Sequence, residues 1–387
     1  MPAEAAELLE RHLPVLRYDS QGSFFADSAA TLPERRSDDG RSVNLLKRGD
    51  GGIVAKAGGK LTLDFLGATK YANGRKVEGG DFLDAVGRDY VLDARALHAK
   101  PEYADRAYGH VAEGADGRRW LQYWLFYYWN NKSFLGFGLH EGDWEMVQVA
   151  VDGNDRPHAM TFAQHDHGER IGWADVERRG PRPVVYVSRG SQASYPRPGR
   201  HRAPIVSDVA DGQGAEVTPK LEVLTDRTPG WVSWGGRWGS SRARNIAESN
   251  SPRGPKQHEQ WQRPDEFHED SIDRRRLQGM VLGAPELRVA PAPRITVRRV
   301  EDRAVVKYTF RRPKRGEAPP VQLVVSVDSP GDTLPPATYA FAVEGLRGEV
   351  EHPLPLGDAR YVVRASASTR EGVTSDTVEK RLPKEGR

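Results

Sequence analysis

Residues Trp120 to Glu145 read W-L-Q-Y-W-L-F-Y-Y-W-N-N-K-S-F-L-G-F-G-L-H-E-G-D-W-E. From Trp120 to Trp129 nearly every side chain is aromatic or branched and apolar, the composition of a strand buried on both faces at the centre of a sheet. The chain then breaks into a glycine-rich loop, Asn130 to Leu139, and resumes at His140 on the way to Val151. Side chains two apart on a strand share a face, so Asp143 and Glu145 point one way while Trp144 and Met146 point the other. Two carboxylates thus stand at the mouth of an apolar strand, and His140, at the loop exit, is placed to fold back toward them. One imidazole and two carboxylates suit a divalent cation. A plainer reading is equally open at this point: His140 and Glu141 as solvated loop polars and Asp143 as a turn cap, because short H-x-x-D-x-E strings arise by chance.

The composition agrees with a mainly β chain. Forty glycines and 27 prolines among 387 residues favour many short strands joined by turns. The 57 basic and 54 acidic residues leave a formal charge of +3, which argues against a dedicated nucleic-acid surface. With no cysteine there is neither a disulfide nor a thiolate nucleophile nor a zinc-thiolate site. The N-terminus lacks the basic and apolar regions of a secretory signal, and no run reaches the length of a membrane span, so a cytoplasmic location is expected.

In chain order, Ala3 to His12 has apolar residues at helical spacing before Pro14. Val15 to Asp19 reads as extended, followed by a polar loop to about Gly52 whose charged part, from Asp38, is expected to be mobile. Leu61 to Leu66 alternates like a half-buried strand. Ala107–Ala112 pairs with the aromatic strand as a hairpin, and Ala159–His165 and Pro183–Ser188 are further core strands. Five of the 11 histidines fall between His140 and His201, several of them at strand ends, which raises the odds of one shared site. Residues 202 to 285 are rich in proline and glycine, with Trp231, Trp234, Trp238 and Trp261 as anchors; such a stretch is expected to wrap the first domain with its indoles in pockets. The Pro-rich run Gly283 to Pro293 marks the domain boundary, giving a large β-sandwich with long wrapping loops over 1–285 and a second domain over 286–387. Seven short strands in the second domain suggest a small immunoglobulin-like sandwich. There, Tyr361–Ala367 followed by Glu371-Gly372 resembles the late strand and glycine turn of fibronectin type III domains.

Four motifs in order carry a wider resemblance: Leu121–Tyr127, His140–Glu145, Ala163-Gln164-His165 with Gly168-Glu169-Arg170, and Val185-Tyr186-Val187 with Arg189-Gly190-Ser191. Through them residues 10 to 270 resemble the bacterial and fungal relatives of the vacuolar protein sorting-associated protein sixty-two family, itself distantly similar to the necrosis-inducing cytolysins. The cytolysins' G-H-R-H-D-W-E heptad lies on a β-sandwich strand and binds a divalent cation. Laid on it, Leu139 to Glu145 puts His140, Asp143 and Glu145 at ligand positions. A further cytolysin aspartate has no match here, and Asn131 is the nearest oxygen donor. The resemblance also implies a place for His165 in the same cavity. Where relatives carry G-S-H-A this chain has Gly190-Ser191-Gln192-Ala193, and the cytolysins' disulfides and signal peptide are absent, so attack on a host membrane from outside is not expected.

Three functions follow as expectations. The first is a cation held by His140, Asp143 and Glu145 that binds a polar small molecule, glycan or lipid head group, with Asn131, Gln164, His165 and Ser191 around it and Arg170, Arg189 and His201 meeting anionic groups at the rim. The cofactor would be Ca²⁺ or Mg²⁺, with Mn²⁺ or Zn²⁺ admitted by the imidazole. The second is a hydrolase in which the cation activates a water and His165 or Glu141 serves as general base. The third is a non-catalytic scaffold or trafficking protein that recruits a protein partner through the C-terminal domain.

Overall fold

The structure, a computed structural model, describes residues 3–37, 40–87, 89–115, 117–131, 139–164, 167–201, 208–240, 251–273, 289–329, 337–354, 359–369 and 375–382. The chain divides into two units, one of Met1–Gly199 with Ala210–Met280 and the other of Arg200–Val209 with Val281–Arg387. Strands dominate both units, and the chain is mainly β as its composition predicts.

The first unit opens with helix α1 (Ala3–Arg11) and strand β1 (Val15–Tyr18) and continues through helix α2 (Tyr90–His98). It then lays down β2 (Arg106–Glu113), β3 (Arg119–Asn130), β4 (His140–Val151), β5 (Pro157–Gln164) and β6 (His167–Gly172) as one antiparallel meander. Short strands Lys220–Val223 and Ile272–Asp273 close its two edges in parallel, making seven strands. A second sheet holds β7 (Arg182–Val187), with β1 parallel to it on one side and β8 (Ser194–Tyr195) antiparallel to its end.

Burial of both faces of β3 explains the arrangement. Every residue from Trp120 to Asn130 is buried. One face, carrying Trp120, Gln122, Trp124 and Phe126, is covered by the late wrapping segment: Trp261 stacks on His110 at 3.7 Å and lies against Trp124, while Trp238 packs on both Phe126 and Trp144. The segment's backbone satisfies the two buried amides of that face, Gln122 donating to the Gln260 carbonyl and Gln148 to that of Pro264. The opposite face receives α1, where the Tyr123 hydroxyl donates to the Leu9 carbonyl, and then the β1–β7–β8 sheet. At ~1.5–3 kcal/mol for each large apolar side chain removed from water, this double cover is the main source of stability in the unit.

Two local expectations give way to other structures. Leu61–Leu66 forms a single 3₁₀ turn over Leu63–Phe65, not a strand. Its spacing allows this, because Leu61 and Phe65, four apart, both go into the core with Leu66 while Leu63 stays outside it. Within the stretch read as a mobile loop, Leu45–Lys47 pairs with Ile53–Lys56 and Phe82–Asp84 in a three-stranded sheet, drawn in by the fully buried Leu46; residues 38 and 39 lie outside the described residues.

From Arg294 onward the described residues of the second unit form seven strands in two sheets. Arg294–Val300, Arg303–Thr309 and Arg347–Pro353 form one, and Ala337–Ala342, Gln322–Asp328, Tyr361–Ser368 and Val378–Leu382, in that spatial order, form the other. Ile295, Val306, Leu323, Val325, Tyr361 and Val363 meet in a single apolar core, the small sandwich expected from the strand spacing.

One residue breaks the regular alternation of β4. Gly142 sits at φ +58°, in the left-handed region, and a Cβ there would stand 2.0 Å from the Trp238 carbonyl oxygen. The break turns Glu141 away to meet Ala85 and Ser240 and leaves His140 on the side of Asp143. Gly142→Ala therefore carries both a backbone penalty and a clash, and a loss of at least ~2 kcal/mol of unfolding free energy is expected in urea titration; a change under ~0.5 kcal/mol would contradict this account of the bend.

Candidate functional site

The layer between β3–β5 and the β1–β7–β8 sheet begins as apolar packing and ends as a cluster of buried polar groups. Cross-strand register puts Tyr127 opposite Asp143 and Leu125 opposite Glu145, so these side chains share the face turned toward β1 and β8. Asp143 and Glu145 are only 6% and 9% exposed, a burial that carboxylates tolerate only with polar or charged partners. Asn130 supplies one, its amide donating to Asp143 Oδ2 at 3.2 Å. His140 supplies another: its Nδ1 faces the Gly142 carbonyl at 2.8 Å, which leaves Nε2 3.9 Å from Asp143 Oδ1. With Glu145 these two do not make a group whose ligand atoms all lie within 4.8 Å of one another.

Neutral oxygens complete the layer. The Gln164 amide donates to the Ser194 carbonyl at 3.1 Å and to Glu169 Oε2 at 3.2 Å, tying the end of β5 to β8. Ser191 and Ser188 join hydroxyls at 2.7 Å, and the Asn131 backbone N–H donates to the Gly190 carbonyl. Gln192 adopts φ +54°, a strained conformation for a residue with a side chain. Four buried polar atoms are left without hydrogen-bond partners among the described residues: Asn131 Oδ1, Gln192 Oε1, Ser194 Oγ and the Tyr127 hydroxyl, which approaches that of Tyr18 without forming a proper bond. Burial, with Tyr18 and the two carboxylates nearby, holds the Tyr127 phenol far above its ordinary pKa, so it stays neutral and able to donate. They are four of the fifteen buried side-chain atoms without a hydrogen-bond partner among the described residues.

The structure thus gathers His140, Asp143, Glu145, Asn131, Gln164 and Ser191 along one layer. The other candidates lie elsewhere. Arg170 is on the opposite face of its sheet, donating to the carbonyls of His268 and Glu269. Arg189 bonds Gln21 and faces the buried Asp19 beside β1. His201 belongs to a ribbon of Gly199–His201 and Asp208–Ala210, and His165 lies outside the described residues. Glu141, considered as a base, is a clasp: Oε2 accepts from the Ala85 and Ser240 N–H groups at 3.0 and 2.8 Å, and Oε1 from the Tyr90 hydroxyl at 2.8 Å. Sequence reasoning missed Tyr127, Asn130 and Ser194. Tyr127 was legible in principle, because pairing the strands around the loop puts it opposite Asp143; Ser194 carried no local signal.

No family model and no curated protein matches this chain. Solved structures that resemble it include one described as a toxin fold for microbial attack and plant defense, 15% identical over 58% of this chain and 76% of that one, at a TM-score of 0.29. The FN1-FN3 domains of chicken CNTN1 are 9% identical over 72% of this chain and the whole of that one, at 0.19. A family 76 glycoside hydrolase from a bovine Bacteroides thetaiotaomicron strain is 12% identical over 24% and 20%, at 0.21. These scores are too low to carry a fold or a function across, and no family match supports the vacuolar-sorting resemblance. No helix among the described residues is long and apolar enough to cross a membrane.

Burial pushes the Glu141 carboxyl up from 4.5 to about 7, against the pull of its Ala85, Ser240 and Tyr90 donors. Because the folded chain holds this proton more tightly, the contribution is fully present below pH 4.5 and is lost as pH rises through about 7. Glu141→Gln keeps the shape and the acceptor but cannot ionise. Its stability relative to the parent chain should rise by up to ~3 kcal/mol between pH 5 and pH 8 in paired denaturant titrations; a difference independent of pH would contradict the assignment.

Proposed function

We propose that this protein binds a divalent cation in the polar layer at the β3–β4 mouth and uses it to recognise a hydroxyl- or phosphate-bearing ligand, a sugar or a head group. The observation that carries the reading is the set of orphaned buried oxygens around two nearly solvent-free carboxylates and an imidazole. His140, Asp143 and Glu145 would hold the ion, and the donor set is mostly oxygen, which favours Ca²⁺ or Mg²⁺. When bound, the ion neutralises the acid pair and offers its remaining positions to ligand oxygens. The chain's own part is orientation: Asn130 fixes the Asp143 carboxylate, the Gly142 carbonyl fixes the imidazole, and the Tyr127 hydroxyl and the Asn131, Gln192 and Ser194 oxygens present both donors and acceptors to a polyhydroxylated guest.

Binding is favoured over hydrolysis because Glu141 has both oxygens committed to structural donors. Calorimetric titration of the chelator-stripped full chain with Ca²⁺ and with Mg²⁺ tests the proposal. His140→Ala and Asp143→Asn should each weaken the ion by at least about tenfold, with the far-ultraviolet spectrum unchanged. Equal affinity in all three proteins would overturn it.

A further inference from the structure

The geometry points to a second cation site, separate from the first, formed by Asp27, His98 and Asp105. Each offers one ligand atom, and the three atoms lie within 4.8 Å of one another. His98 Nδ1 and Asp27 Oδ1 are 2.8 Å apart. Two ligands around one ion with bonds of ~2.1 Å stand ~3.3 Å apart, so the pair needs to open by only about half an ångström to admit one. Asp27 is 5% exposed, and Asp105 Oδ1 is buried with no hydrogen-bond partner among the described residues. That orphaned oxygen belongs to the trio and is the feature that a hydrogen-bonded His–Asp pair alone leaves unexplained.

The backbone holds the three in place before any ion arrives. Asp27 N–H donates to the Phe126 carbonyl, anchoring its segment to β3. Asp105 N–H donates to Asp27 Oδ1 at 3.0 Å, its carbonyl accepts from Lys220 N–H at 2.8 Å, and the next N–H, of Arg106, donates to the Ala26 carbonyl. Asp105 itself is held at φ +54°. His98, in the last turn of α2, is fixed by stacking on Phe25 at 4.5 Å. An ion there would link α2, the 23–28 segment and the turn into β2. One nitrogen and two carboxylate oxygens suit Mn²⁺ or Zn²⁺, in contrast to the oxygen-rich layer around Asp143. Lys220 and Arg106 stand close enough to act on Asp105 electrostatically and offset part of its negative charge.

The test is a Mn²⁺ titration and a Zn²⁺ titration of the untagged, chelator-stripped full chain, read by calorimetry and by melting temperature. Asp105→Asn is the variant of choice, since asparagine tolerates the left-handed conformation and preserves shape. His98→Gln is the second variant, and Asp143→Asn the control. The proposal expects a saturable binding event that raises the melting temperature, at least tenfold weaker in Asp105→Asn and His98→Gln and retained in Asp143→Asn, which removes only the Mn²⁺ or Zn²⁺ taken up by the first site. Absence of binding in the parent chain, or equal binding in Asp105→Asn, overturns it and leaves the trio as a charge-paired clamp. Loss in Asp143→Asn alone also overturns it and assigns the ion to the first site, so the two proposals fail separately.

Discussion

Burial of two carboxylates between packed sheets is the constraint from which the rest of the first unit follows. Asp143 and Glu145 have lost almost all contact with solvent, and an ionised carboxylate in such surroundings is tenable only where hydrogen bonds or a cation compensate. The strand that carries them cannot slip, because a shift of one residue would put both acids against Trp231 and Trp238 and Trp144 into the polar layer. The aromatic mass on the far side of β3 and β4 thus does more than stabilise the fold. It fixes which side of β4 is polar.

Gly142 decides which polar groups this register brings together. An unbroken strand would place Glu141, Asp143 and Glu145 on one face as three crowded acids and send His140 to the other. The left-handed residue sends Glu141 off to hold the 81–85 and 238–240 segments and leaves an imidazole beside Asp143 instead. Exchanging a carboxylate for an imidazole lowers the charge to be compensated and supplies a nitrogen donor. The same bend brings the wrapping segment against the strand end, so the cover and the site form together.

Much of this was legible in the chain. The near-continuous aromatic run gave a central strand, the period of two separated Asp143 and Glu145 from Trp144, and the tryptophans of the 231–261 stretch announced a wrapping segment. Strand spacing alone outlined the seven-strand second unit. What escaped were features set by long-range contact. Leu61–Leu66 fits a strand or a turn equally well until its neighbours are known. Arg170 looked like a rim residue, but pairing of β6 with β5 sets it on the other face, where carbonyls of the 264–270 helix take it up. The Asp27–His98–Asp105 trio spans 79 positions of sequence without a spacing motif, and only the fold assembles it.

The central claim is that the acid pair and His140 are arranged for an ion. An anomalous difference map from a crystal of the protein soaked in Mn²⁺ addresses it most directly. The account predicts a peak bounded by the side chains of His140, Asp143 and Glu145, with the Gln192 or Asn131 oxygen or a solvent molecule in its remaining positions. A map without density there at saturating Mn²⁺, with the three side chains standing where they do now, would contradict it.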